Sequence, residues 1–354
     1  MKIKLPFKYV WTLLLIYSFQ LSAENHGPEF EFNGFISAQY HLSDNDAEYN
    51  HGEEQGLEAT RAGLNARVDI NERFRVIGQA FVIKHENDSS AHIDWLYTEF
   101  EFSENFDIRV GKITLPIGLA SEYQDVSFAY PWLNTPASFY SDAEAPRGPQ
   151  LARDSYEGAS LVWKQNIDDW ELSVDLFGGD LDLDQMLSKN VTGFSLEADW
   201  EQIYLIELTR YQGTMRQVMI PTDPILAASM EGQQHTAWAA GFQLEQLNWL
   251  VMLEKGRVEM SDIPAMTTDT WYVTAGYRVG SLLPHVTFES FRRGRPNWND
   301  QDTLTLGLRW DLMDKVALKF ELSQIRLNQG NGLFLTRPDS SKINILGFGV
   351  DMVF

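Results

Sequence analysis

The sequence has no cysteine at any of its 354 positions, which removes a disulfide framework, a thiolate metal centre and a lipid anchor built on an N-terminal cysteine. Bases are scarce: 28 lysines and arginines stand against 50 aspartates and glutamates, a net charge of −22. Nucleic acid is therefore not an expected partner, because binding it needs clustered positive charge to displace counterions. No stretch after residue 23 approaches the apolar length of a membrane helix. Hydrolytic signatures are missing too, with no Gly-x-Ser-x-Gly elbow and no His-Glu-x-x-His pattern. His85 and His92 flank one loop, where histidines are ordinarily solvated. Asp180, Asp182 and Asp184 alternate in another, but a calcium loop of the EF-hand kind needs Gly and Glu where Gln185 and Val191 stand. No catalytic residue, metal or cofactor is assigned, and an enzyme is not expected.

What is present begins with a leader. Lys2, Lys4 and Lys8 form a basic start, Val10 to Phe19 is almost wholly apolar, and Ser22-Ala23 supplies small residues before Glu24. That order predicts a secretory signal peptide over 1–23, although Leu21 occupies a place where a small residue is preferred. Its loss would remove three lysines and no acid, leaving residues 24–354 more acidic still.

From there the chain alternates apolar and polar residues in segments of roughly ten, the period of a strand with two unlike faces. Leu304, Leu306, Leu308, Trp310 and Leu312 alternate with Thr305, Gly307, Arg309 and Asp311. Phe194, Leu196, Ala198 and Trp200 do so in a second segment, and Leu346, Phe348, Val350, Met352 and Phe354 in a third. The pattern predicts about sixteen strands, starting near Phe30, Ala59, Phe74, Ile93, Phe106, Tyr156, Trp170, Val191, Ile203, Thr236, Trp249, Trp271, Leu283, Thr303, Val316 and Ile343. Connections alternate between short, such as Asn71 to Arg73 and Met313 to Lys315, and long, such as Ser43 to Gly56, Pro116 to Asp154 and Gly178 to Asn190. A membrane barrel has tight turns at one rim and long loops at the other, whereas a soluble sandwich has no reason to obey that rule. Hydrocarbon leaves no partner for an unpaired backbone edge, so the sheet must close. Aromatics near strand ends, among them Trp163, Trp170, Trp200, Tyr204, Trp249, Trp271 and Trp310, would form the interfacial girdles. The expected fold is an all-β transmembrane antiparallel barrel in the outer membrane of a Gram-negative bacterium, in contact with lipid and lipopolysaccharide.

Two segments carry a resemblance. The terminal strand ending at Phe354 resembles those by which bacterial outer-membrane proteins are recognised for assembly. The run Arg109-Val110-Gly111-Lys112-Ile113-Thr114-Leu115-Pro116-Ile117-Gly118-Leu119 resembles the matching segment of sixteen-stranded porins, the phosphate-selective type included. The resemblance implies a homotrimeric porin, delivered to the barrel assembly machinery through that last strand, whose long third loop folds into the lumen. Residues 116–154 are the longest loop and stand third. Phosphate-selective porins display many lumen lysines and arginines; this chain does not.

Facing each strand's polar side inward places Arg61, Arg67, Arg75, Arg109, Arg278 and Arg309 in the lumen with Asp69, Glu99, Asp175, Glu197, Glu207, Glu245, Glu289 and Asp351. The expected constriction sets Arg61, Arg67, Arg75 and Arg109 against Glu122, Asp125, Asp142 and Glu144 of the third loop, an arrangement that would orient small polar solutes. The structural alternative is ion pairing within the wall. Tyr123, Phe128, Tyr130, Trp132, Phe139 and Tyr140 either form an aromatic rail for sugars or pin the loop to the wall, and pinning is the commoner use. The reading favours a passive diffusion channel for small hydrophilic solutes and ions. A sugar-specific channel, and behind it an outer-membrane hydrolase or an adhesin, remain open.

Overall fold

A computed structural model describes residues 3–4, 27–47, 49, 55–56, 60–84, 89–140, 155–183, 186–219, 224–260, 262–294 and 299–354. Apart from Ile3 and Lys4, the expected leader lies outside the described residues, as do His85, Asp142, Glu144 and Asp184.

Sixteen long strands form one antiparallel sheet. They are β1 (Glu29–Ser43), β2 (Arg61–Asn71), β3 (Phe74–Lys84), β4 (Ser89–Ser103), β5 (Phe106–Thr114), β6 (Ser155–Ile167), β7 (Trp170–Asp182) and β8 (Leu187–Trp200). The second half comprises β9 (Tyr204–Arg216), β10 (Gln234–Gln246), β11 (Trp249–Met260), β12 (Thr268–Tyr277), β13 (Leu282–Arg293), β14 (Asn299–Met313), β15 (Val316–Gln329) and β16 (Lys342–Val353). Two two-residue pieces add to it, Gln55–Gly56 beside β1 and Ile3–Lys4 beside β4. Each strand pairs with the next, and β16 pairs back onto β1 from Ile345↔Ser43 to Val353↔Phe35, so the sheet closes. Closure leaves no long edge to solvate in lipid.

The alternation seen in the sequence sorts side chains between outside and inside. Leu304, Leu306, Leu322, Leu346 and Phe348 are exposed on the outer face, while their neighbours Thr303, Thr305 and Lys319 are buried within. A continuous apolar outer belt facing water would be an aggregation surface; facing lipid it is matched. Turns at one rim are tight, as at Asp168 and Leu247, both with positive φ, the conformation that suits the twist of a two-residue hairpin.

The structure departs from the sequence expectation at the other rim. The segment from Gly178 to Asn190, expected to be a loop, is largely strand: β7 and β8 continue until Leu183 N–H donates to Met186 carbonyl at 2.9 Å. Asp180 accepts from Lys189 Nζ at 2.8 Å across this hairpin, and Leu181, Leu183 and Met186 pack into a buried apolar cluster. Loop polarity is a poor guide where strands rise beyond the bilayer, because neither face then needs to be uniformly apolar.

Candidate functional site

The basic residues expected at a constriction separate into two groups. Strand pairing from β2 to β5 aligns Asp69, Arg75, Glu99 and Arg109 in one cross-strand row. Acids and bases alternate along that row, and they pair. Arg109 Nε donates to Glu99 at 2.7 Å, and Arg75 lies 3.4 Å from Glu99 and 3.2 Å from Glu101. Arg67 donates to both oxygens of Asp69, at 3.1 and 3.0 Å. These three arginines therefore form a charge-balanced ladder with wall acids rather than a bare basic wall. Two of the row's three pairings, Asp69 with Arg75 and Glu99 with Arg109, follow from two-residue turns, which fix the residues that stand opposite. The Arg75–Glu99 pairing joins strands linked by an external loop, with a register shift at Gln79 and Ala80.

Arg61 belongs to the second group. It is buried, and its Nη2 donates to Ser127 Oγ at 2.6 Å, Tyr130 Oη at 2.9 Å and Asn134 Oδ1 at 3.1 Å. All three partners lie in the third external loop, residues 115–154, of which 115–140 are described. Of the loop acids, Asp125 accepts from Gln79 Nε2 at 3.3 Å and Glu122 is exposed.

That loop lies against inward-facing side chains on opposite walls. Wall carboxylates take its backbone N–H groups: Glu207 accepts from Gly118 at 2.9 Å, Glu254 from Leu119 at 2.7 Å, Glu321 from Leu133 at 2.9 Å and Glu289 from Ser138 at 2.9 Å. Wall cations take its carbonyls: Arg309 donates to Phe128 and Tyr130 at 2.6 and 2.9 Å, and Lys319 donates to Ser127 and Trp132. Gln39 on β1 donates to the Leu133 carbonyl at 2.8 Å. Charge-assisted bonds to backbone are the strong class, so a segment whose regular structure among the described residues is two short 3-10 turns, Ser121–Tyr123 and Ser127–Ala129, is fastened at many points. Glu254, Glu321 and Lys319 escaped sequence reading because their partners are backbone groups far away in the chain.

Four of the six loop aromatics act as pins. Tyr130, Trp132, Phe139 and Tyr140 are buried to 2% exposure or less, which leaves no open ring face for a solute to stack on. Trp132 Nε1 donates to Thr274 and Thr287 hydroxyls at 3.0 and 2.9 Å. The Tyr140 and Tyr272 hydroxyls both donate to Glu254 Oε2 at 2.5 Å. Burial, with the Glu254 carboxylate beside it, pushes the Tyr140 phenol well above its usual range and keeps it a donor. Tyr123 and Phe128 are partly exposed; Phe128 lies under the Arg309 guanidinium, 4.9 Å from its ring centroid.

Past β6 from the ladder, the wall is acidic. Register places Glu171, Asp175, Glu197, Asp199 and Glu207 on the inward face of β7 to β9, and no lysine or arginine shares that face. Beyond the loop, on the long-loop side, a small open recess of about 70 Å³ lies between residues 132–137 and the walls of β13 to β16. Among the described residues no group of three or more His, Asp or Glu could hold a metal ion.

No family model and no curated protein sequence matches the chain. Solved structures do. The chain is similar to OmpT in trimer form, an outer membrane protein of Vibrio cholerae, at 10% identity and TM-score 0.58, over 93% of this chain and 100% of that one. It is similar to Salmonella typhi OmpF in complex with daunomycin, at 10% identity and TM-score 0.62, over 94% and 99% of the two chains. A third similarity is to the outer membrane channel DcaP of Acinetobacter baumannii, at 11% identity and TM-score 0.57, over 93% and 98%. At such identity the likeness is one of fold, and the chain accordingly has the closed sixteen-stranded barrel of Gram-negative outer-membrane proteins, porins among them.

Proposed function

We propose that this barrel is an outer-membrane diffusion channel for small hydrophilic solutes and ions rather than an enzyme. One observation carries the reading: the inward acids of β7 to β9, Glu171, Asp175, Glu197, Asp199 and Glu207, share their face with no lysine or arginine. Burying an uncompensated carboxylate in a dry interior costs several kcal/mol, so a wall of them calls for water along the lumen. An aqueous lumen inside a lipid-facing barrel is a pore. The ladder of Arg67, Arg75 and Arg109, on the neighbouring wall past β6, would turn dipolar solutes as they pass, beside the exposed Glu122 of the loop.

Assembly as a homotrimer belongs to the same proposal and is supported by likeness to a protein solved in trimer form. So do lipopolysaccharide contacts around the belt and delivery to the assembly machinery through the strand ending at Phe354. Single-channel recording of the folded barrel in planar bilayers tests the central claim. Discrete conductance steps in salt are expected; a folded barrel that leaves the bilayer sealed overturns it.

A substrate-specific channel is the second reading. It is favoured by the third loop, which is bonded to strands on opposite walls and so narrows the lumen.

A further inference from the structure

The apolar belt is not of one height around the barrel. Counted up from the short turns, the outward run on β14 is Leu312, Trp310, Leu308, Leu306 and Leu304 before Asp302 ends it. On β16 it is Phe354, Met352, Val350, Phe348 and Leu346 before Asn344. On β9 it is only Tyr204, Ile206 and Leu208 before Arg210, and on β11 only Trp249, Val251 and Leu253 before Lys255. Both cations are exposed. They stand on the half of the wall that runs up to the long loops, which is the outer-leaflet half.

Neither cation is balanced by the chain. The cross-strand neighbours of Arg210 are Phe194 and Trp238, and those of Lys255 are Ala240 and Trp271. Two acids stand near on this face, Glu259 and Asp269, but Arg257 pairs with both, at 3.3 and 3.7 Å. Among the described residues Arg210 and Lys255 form no ion pair. A lipid-facing cation this low on the wall is disfavoured in hydrocarbon, and its long stem reaches up for headgroup oxygens. The two lie on strands separated by two spacings, about 10 Å, with Ala240 and the half-buried Trp238 of β10 between them. Paired positive charges flanking an indole at the outer leaflet complement a headgroup whose two phosphates are held apart on a sugar frame.

We propose that the outer face of β9 to β11 is a docking site for a bis-phosphorylated glycolipid of the outer leaflet, with Arg210 on one phosphate and Lys255 on the other. The guanidinium fork suits a phosphate held by two bonds, and the ammonium suits one held as a point charge. The proposal rests on the barrel's place in the outer membrane, and it narrows the general contact with lipopolysaccharide to one stretch of wall. It does not depend on what passes through the lumen, because both side chains point away from it.

The test is native mass spectrometry of the folded full chain in detergent, titrated with lipid A, monophosphoryl lipid A and zwitterionic phosphatidylcholine. Lipid A is expected to bind most tightly, its monophosphoryl form more weakly and phosphatidylcholine least. Arg210→Gln with Lys255→Gln should weaken lipid A binding at least about tenfold through loss of charge-assisted bonds, and leave phosphatidylcholine binding and single-channel conductance unchanged. Should the double variant fail to fold, either single variant reads the same outcome, and Arg210→Lys should retain most of the binding. Equal lipid A binding by the unmodified chain and the variant, or equal binding of all three lipids, overturns the site. So does a variant that loses association between copies while keeping lipid A, since the face would then be a subunit interface. A barrel that binds lipid A as expected but does not conduct sinks the channel reading and leaves the site standing.

Discussion

At φ +110° Gly118 holds a backbone conformation that L side chains rarely adopt, and a Cβ there would stand 2.7 Å from the Tyr140 hydroxyl and 3.0 Å from Glu254 Oε1. The glycine lets the loop backbone come close enough for Gly118 and Leu119 to donate to Glu207 and Glu254. Gly118→Ala should add strain of about 1–3 kcal/mol and loosen this end of the loop. Higher single-channel conductance and faster proteolysis within 116–140, with the barrel still heat-modifiable on gels, would be the result. A second residue-scale case is Lys319, buried against Asp351 at 2.9 Å. Breaking such a pair from one side costs about 3–5 kcal/mol, so Lys319→Met should lower stability by that order in urea titration. Lys319→Met with Asp351→Leu should recover much of it, since no lone charge then remains inside.

For the strands, the bilayer sets the requirement. Leu306, near the middle of β14, is 54% exposed on the outer face, and Leu306→Arg should cost about 2–4 kcal/mol in a lipid folding assay. Thr305 next to it points inward and shares a 2.8 Å hydrogen bond with Ser323; Thr305→Val, which keeps the shape, should fold in lipid with much smaller loss. Strand periodicity was readable in the sequence wherever lipid enforces it: β3, β5, β7, β11 and β15 begin at the expected Phe74, Phe106, Trp170, Trp249 and Val316. It was unreadable where strands leave the membrane, as in Asn299 to Asp302 at the start of β14, where polar residues occupy both faces. The same limit explains the loop. Which wall charges face inward follows from alternation, but Glu254, Glu321 and Lys319 bind backbone atoms of a segment whose path no local pattern records.

Across the whole molecule, charge is unevenly distributed. The ladder on β2 to β5 balances itself, whereas the face of β7 to β9 carries acids alone, which should make the potential beside those strands negative. In a salt gradient the reversal potential should have the sign of cation preference, and Glu171→Gln with Glu197→Gln should reduce it. Anion preference in the unmodified barrel would contradict the facing assigned to those strands. External-loop acids contribute less, because screening at physiological salt limits their reach to roughly 8 Å.

The seam has a consequence in time. Gly34 and Phe354 exchange both backbone hydrogen bonds, at 3.1 and 3.0 Å, so the last strand of the ring zips onto residues made early. A ribosome emitting this polypeptide releases nearly everything before the second partner of β1 exists, its first being β2, and any shorter sheet would have two unpaired margins. Escorts that shield such margins are then as much a requirement of the architecture as lipid is, and a chain lacking β16 should accumulate as aggregate rather than as a smaller ring.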